Sequence, residues 1–348
     1  TESDRYTVVG NHIDSWHEGV TDNASAVATS MELARVFAEH PPKRGIVVGF
    51  WPGHSMGRYA GSARYADRNW LDLRENGIAY IHIDLNGLDG ADHLWAQHMA
   101  EVGDEHLDVL ADGPLPMETA RDEGGLLGGG SRPGRNSDQS FWGAGLSSLL
   151  AGARFSADHE DAGPVGGGWW WHTPADTRDK VDIGVLAEET RIAVALASRI
   201  CDSPTLPHDF RATVADVREQ VAAVEAETDR EFAGVHDDLD ALADALEAAY
   251  GVIDGVDAVG SDTAAAAEDL QVALGNELVP ALYNSVRDYD QEPALPHEPL
   301  PELRRAAGVD GTRQEKRFAE TTLTREVTRL RHRLRNAREA AERFVETQ

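Results

Sequence analysis

The chain is poor in three things. Cysteine occurs once, at Cys201, which excludes an internal disulfide and any cysteine-based zinc site. Lysine occurs only at Lys43, Lys180 and Lys316, and arginine supplies the rest of the positive charge. No apolar run approaches the roughly 20 residues needed to span a bilayer, so no membrane span is expected. What the chain has in excess is acid: 61 acidic against 32 basic residues, a net charge of -29 over 348 residues. The basic stripe that a phosphate backbone requires is missing over most of the chain, which argues against nucleic acid as a partner. An acidic excess spread through a foldable sequence, with lysine depleted, points to a halophilic host. Near 1 M salt the screening length is roughly 3 Å, and like charges then tolerate one another. An acidic surface for a basic partner is the competing reading. The chain opens at Thr1, almost inside a strand, so a preceding segment is expected. The compartment therefore stays open, with the cytoplasm favoured.

Two textures divide the sequence. From Thr1 to about Arg199 strands alternate with helices. "YTVVG" reads as a short strand. "DNASAVATSMELARVFAEH" reads as a helix capped by Asp22 or Asn23, with Val27, Met31, Leu33, Ala34 and Phe37 facing inward. The strand "RGIVVGFW", a helix after Gly61, the strand "IAYIHIDLNG", the buried strand "LSSLLAG" and a closing helix "VLAEETRIAVALASRI" follow. This pattern predicts an α/β fold with a mostly parallel, covered sheet over residues 1–200. After Cys201 the strands stop. Val214, Val217, Val221 and Val224 form one helical stripe; Phe232, Val235, Leu239, Leu242 and Leu246 form another; Leu270, Leu274, Leu278 and Leu282 form a third. A proline-rich connection, "DQEPALPHEPLP", leads to a last helix from about Gln314 to Glu346, with Phe318, Leu323, Val327, Leu330 and Leu334 on its apolar side. Its arginines are expected to pack against the acidic helices before it. Residues 201–348 thus read as an all-α bundle that supports or dimerises the first unit.

Histidines and carboxylates gather where the predicted strands end. "GNHIDSW" places His12 and Asp14 after the first strand, and "VTDNAS" places Asp22 at the entry to the first helix. "HIDLNG" sets Asp84 at a strand end, and "WWWHTPADTRDKVD" sets His172 after a glycine-rich loop. Zinc and similar divalent metals take imidazole nitrogen and carboxylate oxygen, keeping one position open for water or substrate. In the His-x-Asp spacing, the carboxylate can accept the proton of the ligating ring's other nitrogen. A lone histidine is more often structural than a ligand; it is the repetition at successive strand ends that carries the argument.

Those motifs, in that order, resemble the co-catalytic zinc exopeptidases that include bacterial aminopeptidases and glutamate carboxypeptidase (peptidase family twenty-eight). The segments are "VVGNHIDSW…GVTDNASAVATSMELAR", "IDLNG", "SDQSFWGAGLSSL" and "WWWHTPADTRDKVD", and the resemblance covers about Tyr6 to Ile200. It implies a mixed sheet flanked by helices. It also implies one or two zinc ions: His12 and Asp84 on one, His172 on the other, Asp22 bridging, and Asp14 orienting His12. The implied activity is hydrolysis of a peptide or small amide substrate, as an aminopeptidase. The second half is faintly similar to the helical dimerisation domain of the glutamate carboxypeptidase and transferrin-receptor branch, which implies a homodimer.

The resemblance breaks at one place. Where that family carries two consecutive glutamates, a general base and a ligand of the second metal, this chain has His54 and Ser55. Three readings follow. His54 replaces a glutamate, as base or as ligand. Alternatively a single metal on His12, Asp22 and Asp84 serves, in hydrolysis or another amide chemistry such as cyclisation. In the third, the fold is a non-catalytic homodimeric scaffold. Glu18 and His17 lie between ligand candidates and can supply a missing donor. Asp138 falls near the segment that lines the site, and His82 shares a strand face with Asp84. Trp169, Trp170 and Trp171 either wall the substrate pocket or pack around the metal loop.

Overall fold

The computed structural model describes residues 3–113, 115, 118–120, 132–134, 137–257, 260–291 and 297–348. The proline-rich connection lies partly outside these. Six strands form one mixed sheet in the order β2-β1-β3-β6-β4-β5. They are β1 (Tyr6–His12), β2 (Gly45–Trp51), β3 (Gly77–His82), β4 (His93–His98), β5 (Glu118–Ala120) and β6 (Ser147–Arg154). β2, β1, β3 and β6 are mutually parallel, and β4 runs antiparallel to β6. The carboxyl ends of four neighbouring strands therefore open along one rim, where an α/β sheet places ligands.

The period of two sorts the side chains. Tyr6 and Val8 of β1 pack with Leu73, Tyr80 and Phe141 on one face of the sheet. Val9 turns to the other face, among Leu33, Ile81, Ile192 and Leu196. Helix α1 (Ser25–Glu39) and α4 (Ile183–Asp202) cover this second face, and α2 (Ala60–Asn76) covers the first. The inward side of α1 keeps Leu33 and Phe37, as expected, and departs from the sequence expectation at Met31. Ala26, Thr29, Ser30 and Leu33 are buried, and Met31 is 62% exposed. Small residues let α1 approach α4 closely; Thr29 Oγ1 lies 3.2 Å from Thr190 Oγ1 across the contact. The sequence reading also passed over β4, β5 and helix α3 (Gly103–Ala111).

Beyond α4 the chain is helical: α5 (Phe210–Thr228), α6 (Val235–Ile253), α7 (Asp262–Tyr283), α8 (Pro301–Ala307) and α9 (Arg313–Thr347). Each long valine or leucine stripe becomes the buried side of its helix. α9 begins with a reciprocal capping box between Thr312 and Glu315. Its opening turns project past the bundle, so Phe318, expected on the apolar side, is 67% exposed. Arg331 and Arg335 bond the two oxygens of Asp238 on α6, at 2.6 and 2.9 Å, and so the terminal arginines serve helix packing. One apolar cluster runs without a break from Val9 in the sheet to Phe344 in α9. Arg44 reinforces the seam: its buried guanidinium donates to the carbonyls of Ile200 and Ser203 and to Glu268 of α7.

Candidate metal centre

β1 delivers His12 to the rim. The ring Nδ1 lies 2.8 Å from the backbone carbonyl of Asp14 and donates to it, which turns Nε2 toward Asp22 and Asp84. The sequence reading gave that orienting role to the Asp14 carboxylate; the carbonyl performs it instead. The carboxylate is turned away to accept the backbone N–H groups of His54 and Ser55, at 3.0 and 3.2 Å. Asp14 thus ties the β1 loop to the β2 loop.

Asp22 sits between two histidines. Its Oδ1 is 2.9 Å from His12 Nε2, and its Oδ2 is 2.9 Å from His172 Nε2. The segment around it is tightly wound: Gly19 has φ +59°, and a Cβ there would lie 2.3 Å from the Ser15 Cβ. The Asp22–Asn23 peptide is cis. Asp176 holds the segment in place. It accepts from Thr21 N and Thr21 Oγ1 at 2.8 Å and from Asp22 N at 3.1 Å. His172 is stacked on Trp171, with ring centroids 3.5 Å apart.

Asp84 lies just beyond β3. Arg154, buried at the end of β6, donates to the Asp84 and Leu85 carbonyls at 2.9 and 3.1 Å. Asp84 Oδ1 is 3.4 Å from His12 Nε2. Burial alone would raise the Asp84 pKa, but His12 and His82 hold it well below the usual carboxylate range. Burial likewise opposes charge on His12, yet Asp84 and Asp22 outweigh it and raise its pKa to about 11. Two carboxylates around one imidazole thus demand a positive charge at this spot.

His54 stands over His12, the two rings stacked 3.8 Å apart and inclined by 17°. Its Nδ1 is 2.7 Å from Oδ2 of Asp138, which is fully buried. The other Asp138 oxygen accepts from Ser62 Oγ at 2.6 Å. Burial works to raise the Asp138 pKa, and the bond to His54 brings it below its ordinary value. Ser55 Oγ is buried with no hydrogen-bond partner among the described residues. Glu18 and His17 are exposed on the loop. Trp169 is 53% exposed, Trp170 packs in a small cluster with Leu88 and Phe155, and Trp171 walls the site. A cavity of about 70 Å³ opens among Asp22, His54, Asp84, Ser137, Trp171 and His172.

Two observations test whether a metal fits. His12 Nε2 and Asp84 Oδ1 are buried without a well-aligned hydrogen-bond partner among the described residues. Ligand atoms of His12, His54 and Asp84 also lie within 4.8 Å of one another. Orphaned donors of imidazole and carboxylate type, around a spot that calls for positive charge, suit zinc.

The sequence profile of peptidase family M28 matches residues 1–197. The chain belongs to peptidase family M28. Among curated M28-type relatives, the Zea mays protein named "Probable glutamate carboxypeptidase VP8" is 25% identical over 243 residues, 65% of this chain and 33% of its own length. "Aminopeptidase NAALADL1" of Mus musculus is 32% identical over 96 residues, 26% of this chain and 13% of its own. The chain therefore spans a third or less of these relatives. Among solved structures, BSAP, a zinc aminopeptidase from Bacillus subtilis, aligns with TM-score 0.47 and 21% identity, covering 58% of this chain and 47% of its own. A glutaminyl cyclase from Porphyromonas gingivalis aligns with TM-score 0.43 and 18% identity over 56% of this chain and 72% of its own.

For this M28 chain the structure brings Asp22, Asp84, His172 and His54 to one cavity rim, sets His12 and Asp138 buried behind them, against Asp22 and His54, and leaves Glu18 outside. Sequence reasoning missed Asp176, Arg154 and Ser62. Only Asp176 left a trace there, as the carboxylate in "HTPADT".

Proposed function

We propose that the protein is a zinc-dependent exopeptidase of the aminopeptidase type, acting on peptides or small amides. The observation that supports this most is the Asp22 carboxylate, with one oxygen against His12 and the other against His172. That is the disposition of a carboxylate shared between two metal positions. In this reading His12, Asp22, Asp84 and His172 hold the metal, and zinc bound there supplies Lewis acidity that polarises a carbonyl and acidifies water. His54 is the proton acceptor in place of the missing glutamate. Asp138 fixes its Nδ1, which leaves Nε2 to take a proton from water and return it to the leaving amine.

A second role for His54, as a ligand beside His12 and Asp84, is suggested by their convergence within 4.8 Å. The stack weighs against it. Lone pairs lie in the ring plane, and two nearly parallel rings 3.8 Å apart hold theirs in two separate planes instead of directing them at one ion. His54→Gln separates the two. As base, it should lose at least about 100-fold in turnover of aminoacyl amides with zinc content unchanged; loss of zinc would assign the ligand role. Protein purified in high salt without zinc, and indifferent to chelator, would leave a scaffold of the same fold as the surviving reading. We also propose a halophilic protein, with residues 201–348 as a helical unit available for homodimerisation. The composition supports the first, and the α5–α9 bundle supports the second. Light scattering at working salt tests the dimer, and a monomer there rules it out.

A further inference from the structure

Tyr80 and His82 lie two apart on β3, share one face of the strand, and point toward Asp84 two residues on. Both are buried, at 0% and 1% exposure. An indole Nε1 can only donate, and that of Trp51 donates to Tyr80 Oη at 3.1 Å. Tyr80 Oη is in turn 2.9 Å from His82 Nδ1. With His82 in the tautomer that leaves Nδ1 unprotonated, the phenol donates to that nitrogen. An imidazole that accepts at Nδ1 carries its hydrogen at Nε2. His82 Nε2 is 2.6 Å from Ser137 Oγ and 3.4 Å from Asp84 Oδ2, and Ser137 Oγ donates to the same Oδ2 at 3.4 Å. In that tautomer every bond in the series points one way, from β2 to the carboxylate. Oδ1 of Asp84 stands apart from it, buried and facing His12.

We propose that Trp51, Tyr80, His82 and Ser137 form a one-way hydrogen-bond relay that occupies Oδ2 of Asp84 and presents Oδ1 alone to the metal. They are positioning residues: they act on the ion through Asp84. A histidine that merely fills core space has no need to stand at the end of a donor series and deliver it to a ligand's second oxygen. Bonds in such a chain polarise one another, so a loss at Tyr80 is felt at Asp84. The proposal rests on the zinc reading of the site.

The test is zinc affinity of metal-stripped protein, measured by competition with a chromophoric chelator. Tyr80→Phe keeps the ring and removes the hydroxyl; it should weaken zinc about 10-fold or more, as loss of an outer partner of a metal ligand does. His82→Gln should do the same. The Asp84→Asn background distinguishes positioning from general support. There the carboxylate is gone, and Tyr80→Phe should add less than about twofold. Wild-type affinity in Tyr80→Phe, or equal losses in both backgrounds, overturns the relay while leaving the metallopeptidase intact. A wild-type protein that binds no zinc overturns both. Should Tyr80→Phe fail to fold, Ser137→Ala makes the same cycle with a smaller change.

Discussion

At the scale of single residues, Asp176 shows how much of the candidate site depends on a group outside its cavity. Its two oxygens accept three hydrogen bonds from Thr21 and Asp22, and it is buried. Asp176→Ala strands those donors away from water, at about 1–3 kcal/mol for each buried group left unsatisfied. Urea midpoint and zinc affinity should both fall, since the segment released is the one that carries Asp22; an unchanged zinc affinity would show that Asp22 holds its place without help. Residue types at strand ends were legible in the sequence, and they supplied His12, Asp22, Asp84 and His172. Pairings were not. His54 and Asp138 are 84 positions apart, and only the fold tells that one orients the other. Nor does a sequence say whether a residue acts through its side chain or its backbone, and Asp14 uses both: the carbonyl for His12, the carboxylate for the neighbouring loop.

Among elements, periodicity located α4 and α9 within a residue or two and found the buried stripes of α5, α6 and α7 without fixing their ends, because a stripe of leucine or valine repeats over many turns. It failed where the signal was short or chemically mixed. β4 reads "HLWAQH", whose histidines and glutamine mask a strand that lies between β6 and β5. α1 was read correctly at Leu33 and Phe37, which pack into the core, and wrongly at Met31, which is exposed while Ala26, Thr29 and Ser30 are buried. The joints between elements also carry a pH response. His208 bonds the carbonyl of Ile78 in β3 at 3.2 Å, and burial pushes its pKa down to about 4. His106 of α3 is pushed by burial to about 3. Unfolded, both bind a proton near pH 6.5. Their contribution to stability is therefore complete above about pH 6.5 and is lost as pH falls toward the folded values. Glu189 of α4 has the opposite sign. Burial lifts its carboxyl to about 7, so its contribution is full below about pH 4.3 and is lost as pH rises through 7. Thermal midpoints taken from pH 4 to 8 should lose part of their acid-side slope in His208→Gln and part of their alkaline-side slope in Glu189→Gln. Identical profiles in all three proteins would remove these groups as the cause.

On the scale of the whole molecule, the net charge of -29 dominates. Repulsion of that size is relieved by screening, so the melting temperature should climb as KCl is raised from about 0.1 to 2 M, where the screening length falls from about 10 Å to below 3 Å. A flat or falling curve would assign the acidic surface to a basic partner. Charge and composition were legible from the first line of sequence; the shared interior was not. Two textures meet after Cys201, yet Val9 of the sheet and Phe344 of the last helix belong to one apolar cluster, with Arg44 riveting the seam. The larger apolar cluster thus spans both halves, beside a second one of Tyr6, Val8, Leu73, Tyr80 and Phe141 that lies within the sheet half. A backbone nick in the connection between α4 and α5 should leave two fragments that elute together and melt in a single transition, and each fragment made alone should fail to fold.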